Sequence, residues 1–488
     1  MNTEIPQTKR MRRIASIDFL RGLAIWMMVF LHVFNHKYNY DWVFEAGIEN
    51  IFQITNPFFA IFVLFSGFFG NWVGIFILVS GIVNTVSFVK RVSRGDTTSK
   101  VFLKQILTGI GILIAGFISE SLGYYGYFGS IIKTGQPFSA ATWTNPSIVS
   151  NIWNRIFHME ALQIIGYAMI ITAVLLFFLN RNEGYKKTKR NLFIVLGITV
   201  VFAVATPFIW YASEQIGWTI PAIAYLPGNE YHLLWPSIMI QAENASIGTY
   251  LMMVLSGDYY PLFPFLITSL VGVGFGIVLS MEKPPKRLPL WGLLTTIIIG
   301  ALGGITATFM PFDINFERPT FPFYLILLAT QVGLVTLLLW LVEYRGKSQV
   351  FGNNIVVKYF RIWGAISLSI FVLQIYHLVP YAIFNPAFPS VDVLGGQFGQ
   401  GGEYWVLLIA FVTVLFFDLI VWIWARFNFV FIFEWMIQRL SSLTTKEKPN
   451  KLNFKKLLHE IDWIDYKELS GRERGLIMIG LRKIFKKE

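Results

Sequence analysis

Four ionisable side chains lie in the first long apolar segment of the chain, "SIDFLRGLAIWMMVFLHVFNH" at residues 16–36. They are Asp18, Arg21, His32 and His36. Histidine has an unperturbed pKa that suits a general base near neutral pH, and the arginine fork matches phosphate or carbonyl oxygens. Ionisable groups inside a membrane span are costly, so they usually face a bundle interior, a cavity or a pathway. The segment therefore predicts a catalytic site or a path for protons or solutes.

A helix would place these side chains on one face. Arg21 and His32 are eleven residues apart, which is three turns plus about 20° at about 100° per residue. Their separation along the axis is about 16 Å, so Arg21 lies near one membrane boundary and His32 lies past the midplane. Asp18 precedes Arg21 by one turn, and His36 follows His32 by one turn. The first helix is thus predicted to carry a polar stripe across most of the membrane.

Simpler explanations stay open for each residue of this stripe. Asp18 and Arg21 could be an interfacial pair that snorkels to water. His32 could be a core histidine, although its depth favours a functional role. The His32 and His36 pair could bind a metal ion, but no cysteine and no further ligand at a metal-binding spacing accompanies it. No metal site is therefore expected.

The composition identifies the class of protein. Hydrophobic residues make up 55% of 488 positions, charged residues 14%, and the mean hydropathy is +0.57, whereas about a quarter of a soluble protein is charged. Cysteine is absent, which excludes disulfides and thiol nucleophiles. We predict an all-α, polytopic integral membrane helix bundle of about ten transmembrane helices. The predicted spans are 14–35, 72–89, 104–122, 156–180, 191–211, 262–281, 288–309, 320–342, 362–384 and 404–425.

The basic residues predict the orientation of these spans. Lysine and arginine cluster before the first span and in alternate connections, whereas the opposite connections hold only Lys37, Lys133, Arg155 and Arg318. The positive-inside rule then puts both termini in the cytoplasm of a multi-pass cell-membrane protein. The apolar segment at 50–70 would invert this pattern if it crossed the membrane. We therefore predict a re-entrant or protein-buried helix there.

Three regions follow from this layout. Residues 1–13 are a cytoplasmic basic N-terminus, residues 14–425 are the transmembrane domain, and residues 426–488 are a cytoplasmic basic tail. The tail ends in "RGLIMIGLRKIFKK", where apolar and basic residues alternate. A basic amphipathic helix on the inner membrane surface is one interpretation, and a disordered basic tail is the other.

The first span also carries a resemblance to a known family. "RIASIDFLRGLAIWMMVFLH" resembles the opening of the transmembrane acyltransferase superfamily, whose acyltransferase 3 members share the spacing of Arg21 and His32. Four later segments are similar to patterns of that superfamily, chiefly of its heparan-α-glucosaminide N-acetyltransferase branch: "GIFILVSGIVNTVSFVKR" (74–91), "ALQIIGYAMI" (161–170), "YPLFPFLITSLVGVGFG" (260–276) and "ISLSIFVLQ" (366–374). That branch is thought to use a histidine in the first outer loop, and residues 37–57 contain none.

The resemblance implies an acyltransferase. Such an enzyme moves an acyl group, commonly acetyl from cytoplasmic acetyl-CoA, to a hydroxyl or amine of a carbohydrate or glycolipid acceptor on the far side. His32 or His36 would be catalytic. Arg21, Asp18, Lys90 and Arg91 would bind the donor, although the basic residues equally serve topology. Membrane lipids are the other expected contacts, with no nucleic acid.

Further polar positions could complete the site. His158, Glu160 and Gln163 lie within a few residues at the outer end of the fourth predicted span. On one helix His158 and Gln163 would be about 140° apart and could not face one cavity. Gln163 is the better candidate because it belongs to the segment 161–170 that resembles the family pattern. In the ninth span Ser367 and Gln374 share a face near His377, where helix–helix hydrogen bonding is an equal explanation. A transporter or lipid flippase, with the polar stripe as its path, is the alternative function.

Overall fold

The structure of the chain, a computed structural model, is an all-α polytopic helix bundle. The structure describes residues 12–37, 57–70, 72–124, 127–128, 155–215, 246–257, 259–312, 319–387, 402–445 and 454–469. The predicted amphipathic helix after residue 470 lies outside these ranges, as does the first part of the predicted re-entrant segment.

Eighteen α-helices occur in the described ranges. In chain order they are α1 Ala15–Lys37, α2 Pro57–Gly70, α3 Val73–Ser93, α4 Thr98–Leu122, α5 Ala161–Asn180, α6 Thr188–Gln215, α7 Ile247–Ser256, α8 Leu262–Leu279, α9 Leu288–Thr306, α10 Phe321–Val342, α11 Ser348–Asn353, α12 Ile355–Ala365, α13 Ser367–Val372, α14 Leu378–Ala387, α15 Gly402–Arg426, α16 Phe433–Thr445, α17 Phe454–His459 and α18 Tyr466–Leu469. A 3₁₀ turn, Leu373–His377, joins α13 to α14.

Ten stretches are long and apolar enough to span a membrane, in agreement with the predicted number. Nine of them are single helices: α1, α3, α4, α5, α6, α8, α9, α10 and α15. The ninth in order, Ser367–Phe384, is broken into α13, the 3₁₀ turn and α14. The predicted span at 362–384 is therefore present from Ser367 onward, but it is not one continuous helix, because the backbone leaves the helical conformation at Ile366 (φ −123°).

The segment between the first two spans does not add a crossing. Arg12, just before α1, lies close enough to Lys90, near the end of α3, for their charges to interact. Spans α1 and α3 therefore run antiparallel. The described part of the segment, α2, has 14 residues, or about 21 Å, which is shorter than the bilayer core. This geometry agrees with the prediction that the segment does not cross. The described part is not a protein-buried helix, because Ile61, Phe65 and Phe68 of α2 are exposed.

Close packing of small residues holds the centre of the bundle. A Cβ at Gly81 of α3 would lie 2.5 Å from the backbone oxygen of Ser269, and one at Gly276 would lie 2.5 Å from the Cβ of Thr85. Small residues let backbones approach closely where the lipid supplies no hydrophobic drive between helices. The pairing Gly81 with Ser269 and Thr85 with Gly276 also shows that α3 and α8 run in the same direction.

Two apolar cores share α1. One core joins α1 to α3, α5, α8 and α10, and the other joins α1 to α12, the broken span and α15. Helix α8 is the most enclosed span, since 83% of the residues in its most apolar stretch are buried. In Thr188–Ser213 and Leu288–Thr306 the corresponding shares are only 11% and 17%. The latter two therefore form the periphery, where their apolar side chains suit lipid.

The C-terminal part of the chain packs on the bundle as two pieces. Helix α16 follows the last span and lies against α4, where Ile437 covers Gly111. Residues 461–466 form a short strap, which we name the C-terminal strap. Its backbone pairs with Arg13, through Arg13 N to Asp462 O at 2.8 Å and Ile464 N to Arg13 O at 2.9 Å. The strap thus ties the start of α1 to the same end of the bundle.

We name the end of the bundle that holds Arg12, Arg13 and Lys90 the basic end, and the other the distal end. Sequence predicts that the basic end is cytoplasmic.

Candidate functional site

His32 lies at the contact between α1 and the 3₁₀ turn of the broken span. Its Nδ1 is 2.8 Å from Oε1 of Gln374, and Nε2 of Gln374 reaches Sδ of Met28 at 3.7 Å. His32 is partly buried and Gln374 is buried at 4% exposure. With Gln374 Oε1 as acceptor, the imidazole carries its proton on Nδ1 and keeps a lone pair on Nε2. Gln374 therefore fixes the orientation of the ring, with Nε2 as the nitrogen that could accept a proton.

His377 holds that turn against α1. Its Nδ1 is 2.7 Å from the Gln374 carbonyl oxygen, and its Nε2 is 3.3 Å from the Val29 carbonyl oxygen. The residue is fully buried, with its ring against Phe417. A neutral histidine donates to one of these two carbonyls. His377 thus has a structural explanation, since it fastens Gln374 to the helix that carries His32.

A second polar group gathers at the distal end, where α4 ends and α5 begins. His158 Nε2 is 3.1 Å from Glu160 Oε1, and Arg155 Nη1 is 3.3 Å from Glu120 Oε2. One ligand-type atom each of Glu120, His158 and Glu160 lies within 4.8 Å of the others. We name these three residues the distal triad. Its His158 packs edge-on against the ring of Tyr259 at 4.9 Å.

The distal triad arises from local backbone structure that the sequence analysis did not predict. The fourth span begins at Ala161 rather than at 156, and Arg155–Phe157 form a 3₁₀ turn. Glu160 is the N-cap of α5, and its Oε2 accepts from Ala161 N at 3.3 Å. The argument that His158 and Gln163 lie 140° apart on one helix is therefore wrong, because His158 precedes the helix.

The triad lies near His32. The charge of Glu160 interacts with that of His32, and the His32 charge interacts with that of His377. Residues from α1, α4, the segment before α5 and the 3₁₀ turn therefore place their titratable groups in one region near the distal end. Sequence spacing predicted His32, His158 and Glu160 as candidates, and the structure brings them together with Glu120.

Gln163 and His36 complete the predicted distal candidates. Gln163 is fully buried on α5, and in the described part of the chain neither its amide oxygen nor its nitrogen has a hydrogen-bond partner. Its amide packs against Gly116 of α4. His36 lies in the last turn of α1, and its side chain is outside the described residues.

The predicted donor-binding residues near the basic end have other partners. Arg13 Nε forms an ion pair with Asp18 Oδ2 at 2.8 Å, and Arg13 Nη2 donates to Oδ1 at 3.1 Å. Arg91 Nε forms an ion pair with Asp96 Oδ2 at 2.7 Å. Lys90 has Arg94 and Arg12 as its charged neighbours. Asp18 and Arg91 are thus engaged in ion pairs, whereas Lys90 belongs to a purely basic cluster.

Arg21 faces a carboxylate that sequence reasoning missed. Its charge interacts with those of Asp18 and Glu434. Glu434, at the start of α16, accepts from the backbone amides of Leu368 and Ser369 at 2.7 Å and 3.3 Å, and from the Ser369 hydroxyl. These amides start α13, so the break in the ninth span is capped by Glu434. The signal was a single acid in the apolar run "FIFEWMI" after the last span.

Asp418, an ionisable residue within the last span, has a structural role. It accepts from the Tyr359 hydroxyl at 2.9 Å and 3.0 Å and from the Trp363 indole at 2.9 Å. Trp26 of α1 donates to the same Tyr359 oxygen at 2.9 Å. This network joins α1, α12 and α15, and it explains the partly buried carboxylate of Asp418 without any ligand.

Comparison of the chain with models of known protein families gives no match, and comparison with curated proteins gives none either.

Proposed function

We propose that the protein is a membrane-embedded acyltransferase. It transfers an acyl group, with acetyl as the expected one, from a CoA thioester at the basic end to a hydroxyl or amine at the distal end. The acceptor class is a carbohydrate or glycolipid. The resemblance of the first span to transmembrane acyltransferases motivates the reaction. The geometry around His32 is the observation that supports it best.

His32 has the surroundings that a general base needs. Its ring is oriented through Nδ1 by Gln374 at 2.8 Å, and the turn that carries Gln374 is fastened to α1 by His377. A positioned base commonly contributes about 10²- to 10⁴-fold to rate. An exposed or rotating histidine would lose most of that benefit, because its lone pair would not stay aligned with the acceptor.

The chemical steps balance with His32 as the only proton carrier. The acceptor's oxygen or nitrogen attacks the thioester carbonyl carbon as its proton moves to His32 Nε2. The carbon–sulfur bond then breaks, and the CoA thiolate takes the proton from the imidazolium. In a two-step version, His32 Nε2 attacks the thioester carbonyl carbon and expels the CoA thiolate. The acceptor then attacks the acyl-imidazole, the carbon–nitrogen bond breaks, and the acceptor's proton passes to the thiolate.

The donor would enter from the basic end. Lys90, Arg94 and Arg12 form a like-charged cluster there, which suits the phosphates of CoA. Arg21 lies between that cluster and His32, along the same helix. Its charge interacts with those of Asp18, Arg13 and Glu434, so it would meet the donor within a mixed charge environment rather than as a lone cation.

The decisive experiment reconstitutes the full chain in liposomes with radiolabelled acetyl-CoA and candidate sugar or glycolipid acceptors. Label in the acceptor that depends on His32 supports the proposal. Absence of transfer to every acceptor tested, in correctly inserted protein, contradicts it.

One observation favours a second function, a transporter or lipid flippase. The ninth span is discontinuous, and its break lies among Arg21, Glu434 and Ser369. Broken spans that meet charged groups inside a bundle are typical of secondary transporters. Solute or lipid movement that depends on pH and on His32, without acyl transfer, would support this function instead.

A further inference from the structure

The distal triad combines ligand types that metal ions prefer. Glu120 and Glu160 offer carboxylate oxygens, and His158 offers an imidazole nitrogen. The measured separation between His158 Nε2 and Glu160 Oε1 is 3.1 Å. Two ligands on a tetrahedral ion at about 2.0–2.1 Å are roughly 3.3 Å apart. Two of the three atoms are thus already at the spacing of a shared ion.

Charge is the second argument. Glu120 and His158 are 4% and 2% exposed, and the charges of Glu120 and Glu160 interact with each other. The Glu160 side chain is 23% exposed, whereas the Glu120 carboxylate beside it is poorly solvated. Two carboxylates this close repel, so the pair favours a nearby counter-charge. Arg155 supplies one positive charge, with its Nη1 3.3 Å from Glu120 Oε2. A divalent cation would compensate both carboxylates.

Gln163 is the independent observation. Its side chain is fully buried, and within the described chain both amide atoms lack a hydrogen-bond partner. It lies one turn after Glu160 on α5 and packs against Gly116, one turn before Glu120 on α4. The amide therefore lines the same seam as the two carboxylates. A buried amide left unpaired costs stability, and a hydrated ion above it would give the amide a water to bond.

We propose that Glu120, His158 and Glu160 bind one divalent transition-metal ion, Zn²⁺ or Mn²⁺. One imidazole with two carboxylates suits these ions, whereas Mg²⁺ and Ca²⁺ prefer oxygen ligands alone. Three protein ligands leave a coordination position for water or a substrate oxygen. The sequence analysis considered only His32 with His36 as a metal pair, and this group is a different one. The site does not depend on the proposed acyl transfer.

The test measures metal binding directly on the full chain, purified without a histidine tag. The protein is stripped with EDTA, exposed to Zn²⁺ or Mn²⁺, separated from free metal and analysed for metal per chain. We expect one ion per chain, displaced by neither Mg²⁺ nor Ca²⁺. Glu160→Gln and His158→Gln should each weaken binding at least about tenfold. His459→Ala and Glu183→Gln, which remove the same groups from exposed positions, should bind like the wild type.

A measurement on the wild type alone keeps the proposal testable if a triad variant fails to fold. The extended X-ray absorption fine structure of the bound zinc should report one imidazole and oxygen ligands at about 2.0–2.2 Å. Retention of no metal by the wild type would overturn the site, as would binding that is unchanged in Glu160→Gln and His158→Gln. A coordination shell without imidazole would overturn it too. Any of these results would leave Arg155 and a shared proton as the compensation for the two carboxylates.

Discussion

The two ends of α1 treat their buried polar groups differently. At the basic end two groups of α1 have specific partners: Asp18 pairs with Arg13, and Ser16 donates to Glu343 through its amide at 2.9 Å and its hydroxyl at 2.8 Å. Deeper in the same helix, Arg21 Nε is buried without a hydrogen-bond partner in the described chain. The C-terminal strap then pairs with the backbone of Arg13. These contacts join the first helix, the end of α10 and the strap, which is what a stable closure of the bundle requires.

At the distal end titratable groups from separate elements lie together, and several of them pair with one another. His158 contacts Glu160, Arg155 contacts Glu120, and Glu160 lies within charge-interaction range of His32. Next to them, Gln163 is buried with an unpaired amide. Natural proteins leave buried polar groups unsatisfied mainly where a ligand, an ion or chemistry needs them. The contrast predicts that changes at the basic end mainly lower stability, whereas changes at the distal end mainly lower activity.

The largest expected effect concerns labelling: each end of the bundle should be accessible to an impermeant reagent from one side of the membrane only. The natural chain has no cysteine, so single cysteines report position without background. Glu183→Cys in the basic connection after α5 and Asn229→Cys in the long connection before α7 should react with an impermeant maleimide from opposite sides of the membrane. Labelling of both from one side would contradict the topology.

The next effect concerns His32. Replacement of His32 by Ala should lower kcat at least about 100-fold, the lower end for a positioned base, while binding of a non-hydrolysable CoA analogue changes little. His36→Ala should be milder because that position is nearer water. The exposed His459→Ala is the matched control. If His32→Ala kept full activity and His36→Ala lost it, the base would be His36, one helical turn further along α1.

The sequence predicts the fold of this protein better than it predicts the candidate site. Apolar runs predicted all ten spans, since lipid demands about 20 apolar residues from any crossing helix. They could not predict the break at Ile366, because it depends on Glu434, a residue on another helix, which accepts from the freed amides. The distal triad was found only in part. Glu120 lies 40 residues before Glu160, and only the packing of α4 on α5 brings them together.

Glu343 tests the stability side of the contrast. Burial raises the pKa of Glu343 to about 8, although the Ser16 donors oppose the shift. The folded protein then keeps a proton that the unfolded chain loses above its ordinary pKa of 4.5. Stability should therefore fall as pH rises from that value and level off above about 8, with a loss of about 2 kcal/mol between pH 6 and 8.

Comparison with Glu343→Gln isolates this group from the others that titrate. The amide resembles the protonated acid, so the Tm difference between variant and wild type should grow in favour of the variant from pH 6 to 8. A difference that stays constant with pH would mean that Glu343 is ionised in the folded protein.

Gln374 should have a smaller effect than His32, because it acts by orienting the ring. Gln374→Ala should lower kcat about tenfold and leave the KM for the donor nearly unchanged, since the acceptor for His32 Nδ1 is lost. Gln374→Glu keeps an acceptor at this position and should retain more activity than the alanine variant. Equal activity of Gln374→Ala and wild type would show that His32 does not need this partner.

The smallest effect decides whether the basic end is purely structural. Lys90 and Arg94 lie in a like-charged cluster with Arg12, whereas Arg91 is held by Asp96 at 2.7 Å. If CoA phosphates dock on the cluster, Lys90→Gln with Arg94→Gln should raise the donor KM about threefold. This size is typical of one partly exposed charge interaction. The kcat should not change, because the contact is made equally in the ground and transition states.

Arg91→Gln is the matched comparison, since it removes the same charge from the same helix turn. Its guanidinium is already oriented toward Asp96, so its loss should change the donor KM less than the loss of Lys90 and Arg94. Insertion of each variant has to be checked by the cysteine labelling described above, because inside positive charges also set topology. If all three charges can be removed without any change in donor KM, the basic residues serve topology alone. The donor would then have to be bound nearer Arg21, within the bundle rather than at its rim.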